Sequence, residues 1–105
     1  MPVHEVVEND QEIRRGEGIV FSLTTTNWQA APTPAAITIV RLADNSNVTA
    51  TWTSTATPTV LGNVITLPEI TVPSNAELGR YRVNIPFTAG GFSPGVPYVD
   101  LVVGA

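Results

Sequence analysis

Besides two tyrosines, the ionisable side chains of this chain are nine carboxylates, five arginines and one histidine. There is no cysteine and no lysine. A thiolate nucleophile, a thiolate metal site, a disulfide framework and a Schiff-base lysine are therefore excluded. His4 is the one side chain that titrates near neutrality in its ordinary state. A Ser-His-Asp arrangement would have to recruit it from the extreme start of the chain, so it reads as an edge residue facing solvent. Glycoside hydrolysis needs two carboxylates about 5–9 Å apart in a cleft. Here Glu5, Glu8, Asp10, Glu12 and Glu17 crowd the opening segment, while Glu69, Glu77 and Asp100 are scattered. A chain this short has little room for a cleft. The opening segment reads as a solvated acidic stretch, or as a contact arm that pairs with arginines on a neighbour. Arg14 and Arg15, beside it, would close such pairs in the opposite sense.

Asp44-Asn45-Ser46-Asn47 sets oxygen ligands close together but lacks the glycine and the distal glutamate of an EF-hand loop. It reads as a hairpin turn whose Asx side chains bond their own backbone, in preference to a calcium loop. Asn47-Val48-Thr49 matches a glycosylation sequon. The opening residues are acidic, with no basic region and no apolar run, so no secretory signal is expected and the sequon is read as chance. No cofactor and no metal are expected, and the chain is read as non-enzymatic.

The aromatics offer contact chemistry. Trp28 lies in a proline-containing loop, where a tryptophan serves as an interface anchor or a sugar-stacking platform. Trp52 shares an alternating face with Val48 and Ala50 and reads as core. Phe92 sits in Gly90-Gly91-Phe92-Ser93-Pro94-Gly95. No helix follows that loop to cradle a phosphate, so it reads as a contact loop or a flexible connection. The residues expected to touch a partner are Glu5, Glu8, Asp10, Glu12, Arg14, Arg15, Trp28 and Phe92.

The elements that must position these groups are strands. Tyr81, Val83, Ile85 and Phe87 alternate with Arg80, Arg82 and Asn84, so one face meets a core and the other meets water or a partner. Tyr81 follows Glu77-Leu78-Gly79, the setting in which immunoglobulin-like sandwiches bond a tyrosine back to the preceding loop. Residues 3–8 suit an edge strand and 9–18 a charged connection. Residues 19–24 and 36–42 suit core strands, with a loop over 25–35. Val48, Ala50 and Trp52 alternate with threonines over 48–53, predicting a Thr-faced strand. Residues 54–62 form a connection, and 63–72 a strand interrupted by Pro68. A short turn is expected over 74–79, and the last strand covers 96–103.

The expected architecture is a single all-β, immunoglobulin-like sandwich of about seven antiparallel strands spanning 1–105, with 1–17 as an acidic N-terminal edge strand or arm. At 105 residues, roughly two-thirds of the unfolded surface can be buried, leaving roughly 5,700 Å² exposed. Net charge −4 argues against a nucleic-acid or anionic-membrane surface. Nothing approaches a transmembrane helix. Only 13% of residues are charged, a composition suited to a subunit packed into an assembly.

Three segments carry a resemblance: Arg14-Arg15-Gly16-Glu17 before Ile19-Val20-Phe21-Ser22-Leu23, then Glu77-Leu78-Gly79-Arg80-Tyr81, then Pro97-Tyr98-Val99-Asp100-Leu101-Val102-Val103. In this order the chain resembles, from about residue 12 to 103, the immunoglobulin-like modules of tailed-phage particles: head-decoration proteins and the N-terminal domain of baseplate upper proteins. The acidic lead-in and the proline-rich loop after Thr25 have no counterpart in that pattern. The resemblance implies a virion structural protein, a capsid decoration (cement) subunit or another particle piece. Such a protein is made in the host cytoplasm and is bound in many copies to other virion proteins; homo-oligomer formation is left open. The alternative is a carbohydrate-binding or adhesive module of a bacterial cell surface, with Trp28 as its platform.

Overall fold

A computed structural model describes residues 3–5, 11–24, 32–89 and 98–105. Alternation builds its strands. In β3 (Gly18–Thr24), Ile19 and Phe21 turn inward, and in β10 (Gly79–Asn84), Tyr81 and Val83 do so. In β12 (Tyr98–Gly104) the inward set is Val99, Leu101 and Val103. The remaining strands are β1 (Val3–Glu5), β2 (Gln11–Arg14), β4 (Pro32–Pro34), β5 (Thr38–Arg41), β6 (Ser46–Asn47), β7 (Thr59–Leu61), β8 (Val64–Thr66), β9 (Ile70–Thr71) and β11 (Phe87–Ala89). One short helix, α1, covers Thr49–Trp52.

One sheet runs β1-β3-β8-β7, with β9 also on β3, a second runs β2-β12-β10-β5-β6, and β11 and β4 form a small two-stranded sheet. The inward residues of the two larger sheets merge in one core. It contains Phe21, Ile65 and Ile70 from the first sheet and Ile39, Val83 and Leu101 from the second, all 0% exposed. The protein is thus an all-β sandwich. Its accessible surface, 5912 Å², agrees with the size expectation. Among the described residues no helix is long and apolar enough to cross a membrane.

Among the described residues twelve strands appear where about seven were expected: two expected strands are broken, and β2, β4, β6 and β7 form in segments read as connection, loop or turn. Pro68 separates β8 from β9, as its missing N–H requires. The strand expected over 81–87 leaves its ladder after Asn84. Ile85 and Pro86 intervene, and β11 pairs instead with β4, inside the segment read as loop. Among the described residues two pairings are parallel, β1 with β3 and β2 with β12. Part of the expected charged connection over 9–18 is strand β2, held by buried Ile13. Likewise β7 occupies part of the connection over 54–62. The turn expected over 74–79 is present at Ser74 and Asn75.

The Thr-faced strand over 48–53 is replaced by α1. The Thr49 hydroxyl oxygen accepts the Ile39 N–H at 2.8 Å, in place of a ladder carbonyl. Asn47 Oδ1 accepts the Thr49 N–H at 3.0 Å. The helical turn brings Val48 and Trp52, four residues apart, to one face. Trp52 is buried, Val48 packs on the core, and Ala50 is exposed.

Candidate functional site

The tyrosine corner forms as the sequence implied. The Tyr81 hydroxyl donates to the Glu77 carbonyl at 2.8 Å. Trp52 lies on the Tyr81 ring, with centroids 4.3 Å apart and a 44° tilt. Burial pushes the Tyr81 phenol above its ordinary pKa, against the opposing pull of Arg41. Arg41 reaches Asp44 at 3.2 Å and Glu77 at 4.0 Å, while its Nε is buried with no hydrogen-bond partner among the described residues.

The turn at Asp44 closes on itself. Asp44 Oδ1 accepts the Ser46 N–H at 3.1 Å and the Ser46 hydroxyl at 2.5 Å, and Oδ2 takes Arg41. These bonds, Ser46 foremost, hold its pKa below the usual carboxylate value. Asn45 takes the left-handed conformation, φ 59°, that such a turn favours. Both Asp44 oxygens are engaged within the hairpin, so the hairpin reading describes this segment.

The outer face of the second sheet is the most elaborated surface. Register sets Arg82 opposite Asp100. The guanidinium grips the carboxylate in two bonds, Nε to Oδ1 at 2.8 Å and Nη2 to Oδ2 at 3.2 Å. Arg80 approaches the same carboxylate diagonally, at 3.6 Å. The Arg82 guanidinium also stacks on the Tyr98 ring, 4.0 Å from its centroid. Asn84 donates to the Thr38 hydroxyl at 3.2 Å. Asp100 is 10% exposed at its side chain, and hydrogen bonding from Arg82 holds its pKa below the usual range. The same bond raises Arg82. The alternation over 80–84 announced this polar face, but Asp100 as its partner was not foreseen, because only strand register brings the two together.

The predicted contact residues divide among different places. Glu12 and Arg14 are exposed on β2, the edge of the second sheet, and Arg15 follows in the turn. Together with Glu17 and Val102, Glu12 and Arg14 line a shallow depression of about 420 Å³. Glu5 belongs to β1, on the other sheet, opposite Ser22. The acidic segment is therefore split between two sheet edges. Glu8, Asp10, Trp28 and Phe92 lie outside the described residues.

The turn after β2 ties both sheets together. Arg15 N–H donates to the Gly104 carbonyl, and Gly16 N–H donates to the Val72 carbonyl. Gly16 has φ 86°, a conformation glycine adopts without steric cost. Glu17 also covers the β2 edge: its carboxylate accepts the Arg14 N–H at 2.7 Å and its own N–H donates to the Arg14 carbonyl at 3.2 Å. An added strand would have to displace both bonds, a common protection of open edges. At the Arg14 end of this edge, contact therefore falls to side chains.

Among the described residues no group of three or more His, Cys, Asp or Glu side chains comes together to hold a metal. No protein-family model matches the chain, and no curated protein matches it.

Proposed function

We propose that this protein is a non-enzymatic structural module of a tailed-phage particle, a capsid decoration subunit or another virion piece. It acts through protein–protein contacts. The observation that carries the reading is the outer face of the second sheet. Its central charges are joined in an Arg80–Asp100–Arg82 network, with Tyr98 and Asn84 alongside. A face whose central charges are mutually paired suits docking on a protein lattice, where unpaired charges at a contact are costly. The resemblance carried by residues 14–23, 77–81 and 97–103 supports the same reading. Many weak contacts on one shell sum to firm retention.

Co-sedimentation of the purified chain with tailed-phage particles tests it. Saturable binding at a fixed ratio to particles is expected. A chain that stays at the top of the gradient at every concentration, and instead binds glycans in a manner lost in Trp28→Ala, would transfer the protein to the carbohydrate-binding class.

A further inference from the structure

From the corner where β7, β8, β4 and β11 meet we infer a contact site separate from the β2 edge, with Leu61 as the anchor that enters an apolar recess of a partner protein. That partner is a subunit of the shell, so this rests on the particle reading. β4 touches both β7 and β8, and β11 pairs with β4. None of these four strands contains an ionisable side chain, and residues 45–68 contain none either.

Leu61 is 85% exposed, against 48% for Leu78 and 46% for Tyr98, the other large apolar side chains exposed among the described residues. It stands at the tip of the β7–β8 hairpin, opposite half-buried Val64. Gly62, φ 62°, helps close the hairpin in two residues, in the conformation such a turn needs. So short a loop has little freedom left to lose, and the side chain is held ready for contact. Thr59 shares the outward face of Leu61. On the adjoining pair, Thr33 of β4 and Thr88 of β11 lie opposite one another and are exposed.

These features fix the kind of partner. Covering this corner strands no charge of the chain away from water. A hairpin tip is convex and enters a recess, whereas two copies set tip to tip would meet over little area. The four strands supply no arginine to a lipid headgroup. Pro32 and Pro34 of β4 have no N–H to offer an added strand, so contact falls to side chains. The partner surface is therefore uncharged, with an apolar floor under Leu61, and this part of the binding is insensitive to salt.

Titration of tailed-phage particles with the full chain, at about 50 mM and about 500 mM salt, measures it. Leu61→Ala should weaken binding about tenfold, and by the same factor at both salt concentrations. Leu61→Asp should weaken it further, and Leu61→Met should bind like the wild type. Leu78→Ala removes an exposed leucine elsewhere and should change nothing. Unchanged circular dichroism and melting confirm that each variant is folded. A wild type that binds no particle overturns the particle reading and this site with it. A wild type that binds, with Leu61→Ala and Leu61→Asp binding equally well, overturns the site alone. So does equal weakening by Leu78→Ala, which marks general adhesion, or a Leu61 effect that vanishes at high salt. A Leu61-dependent dimer of the free chain in sedimentation velocity also overturns it, because the occupant is then a second copy.

Discussion

Tyr81 joins three things at once: a hydrogen bond to the Glu77 carbonyl, a ring contact with Trp52, and a place opposite Arg41 in the ladder. Tyr81→Phe keeps the ring and removes only the hydroxyl. It should cost about 1–1.5 kcal/mol in denaturant unfolding, and an unchanged midpoint would show that the corner bond contributes nothing. Asp100 makes a pH prediction. Its folded pKa lies below its unfolded value because Arg82 bonds the ionised form. Its stabilisation is therefore complete above the unfolded pKa of about 3.9. It is lost as pH falls through the lower, folded value. Asp100→Asn should lower stability at pH 7 by about 1–2 kcal/mol and flatten the acid limb of the stability profile. An acid limb identical to wild type would contradict this. The tyrosine corner was legible because Gly79, Tyr81 and the alternation after it are local. The Arg82–Asp100 pair was not, because 18 residues separate its members and only the β10–β12 register joins them.

At the scale of elements, β2 and α1 carry the main lessons. An acidic opening segment looks like a free arm when its charges are counted. Ile13, one apolar side chain among them, becomes 6% exposed and fixes Gln11–Arg14 as an edge strand. A single buried residue is too small a pattern to read as strand. In α1, three alternating apolar positions suited a strand, but Val48 and Trp52 are also four apart, and so short a stretch cannot separate the two periods. The choice is made by Thr49, whose hydroxyl takes the Ile39 N–H from a strand ten residues back. The role of β2 distinguishes two experiments. Deleting residues 1–17 removes Ile13 and the β2–β12 ladder, and should destabilise the sandwich by about 3–5 kcal/mol. Loss of binding in that deletion would say little about contact. Combined Glu12→Ala, Arg14→Ala and Arg15→Ala removes only exposed side chains. It should leave melting nearly unchanged while weakening particle binding, as titration of particles with each form would reveal. Full retention of binding would remove this edge from the contact surface.

For the molecule as a whole, the described residues of two sheets share one core, and the outer face of the second sheet carries the Arg80–Asp100–Arg82 network. Class and core alternation followed from the sequence because period-two burial needs only local residues. Strand breaks at Pro68 and Pro86, the parallel edge pairings and the ion-paired face depend on how distant strands meet. A net charge of −4 keeps free copies apart over long range, so the proposed attachment relies on matched patches at close range. The most direct measurement of such attachment is the number of chains retained per tailed-phage particle at saturation. It is read by quantitative gradient sedimentation over rising chain concentration. The account predicts a plateau at a fixed copy number, reproducible between preparations and reduced in occupancy by the combined Glu12, Arg14 and Arg15 substitutions at sub-saturating concentration. Retention that never exceeds background, or that climbs without a plateau, would contradict it.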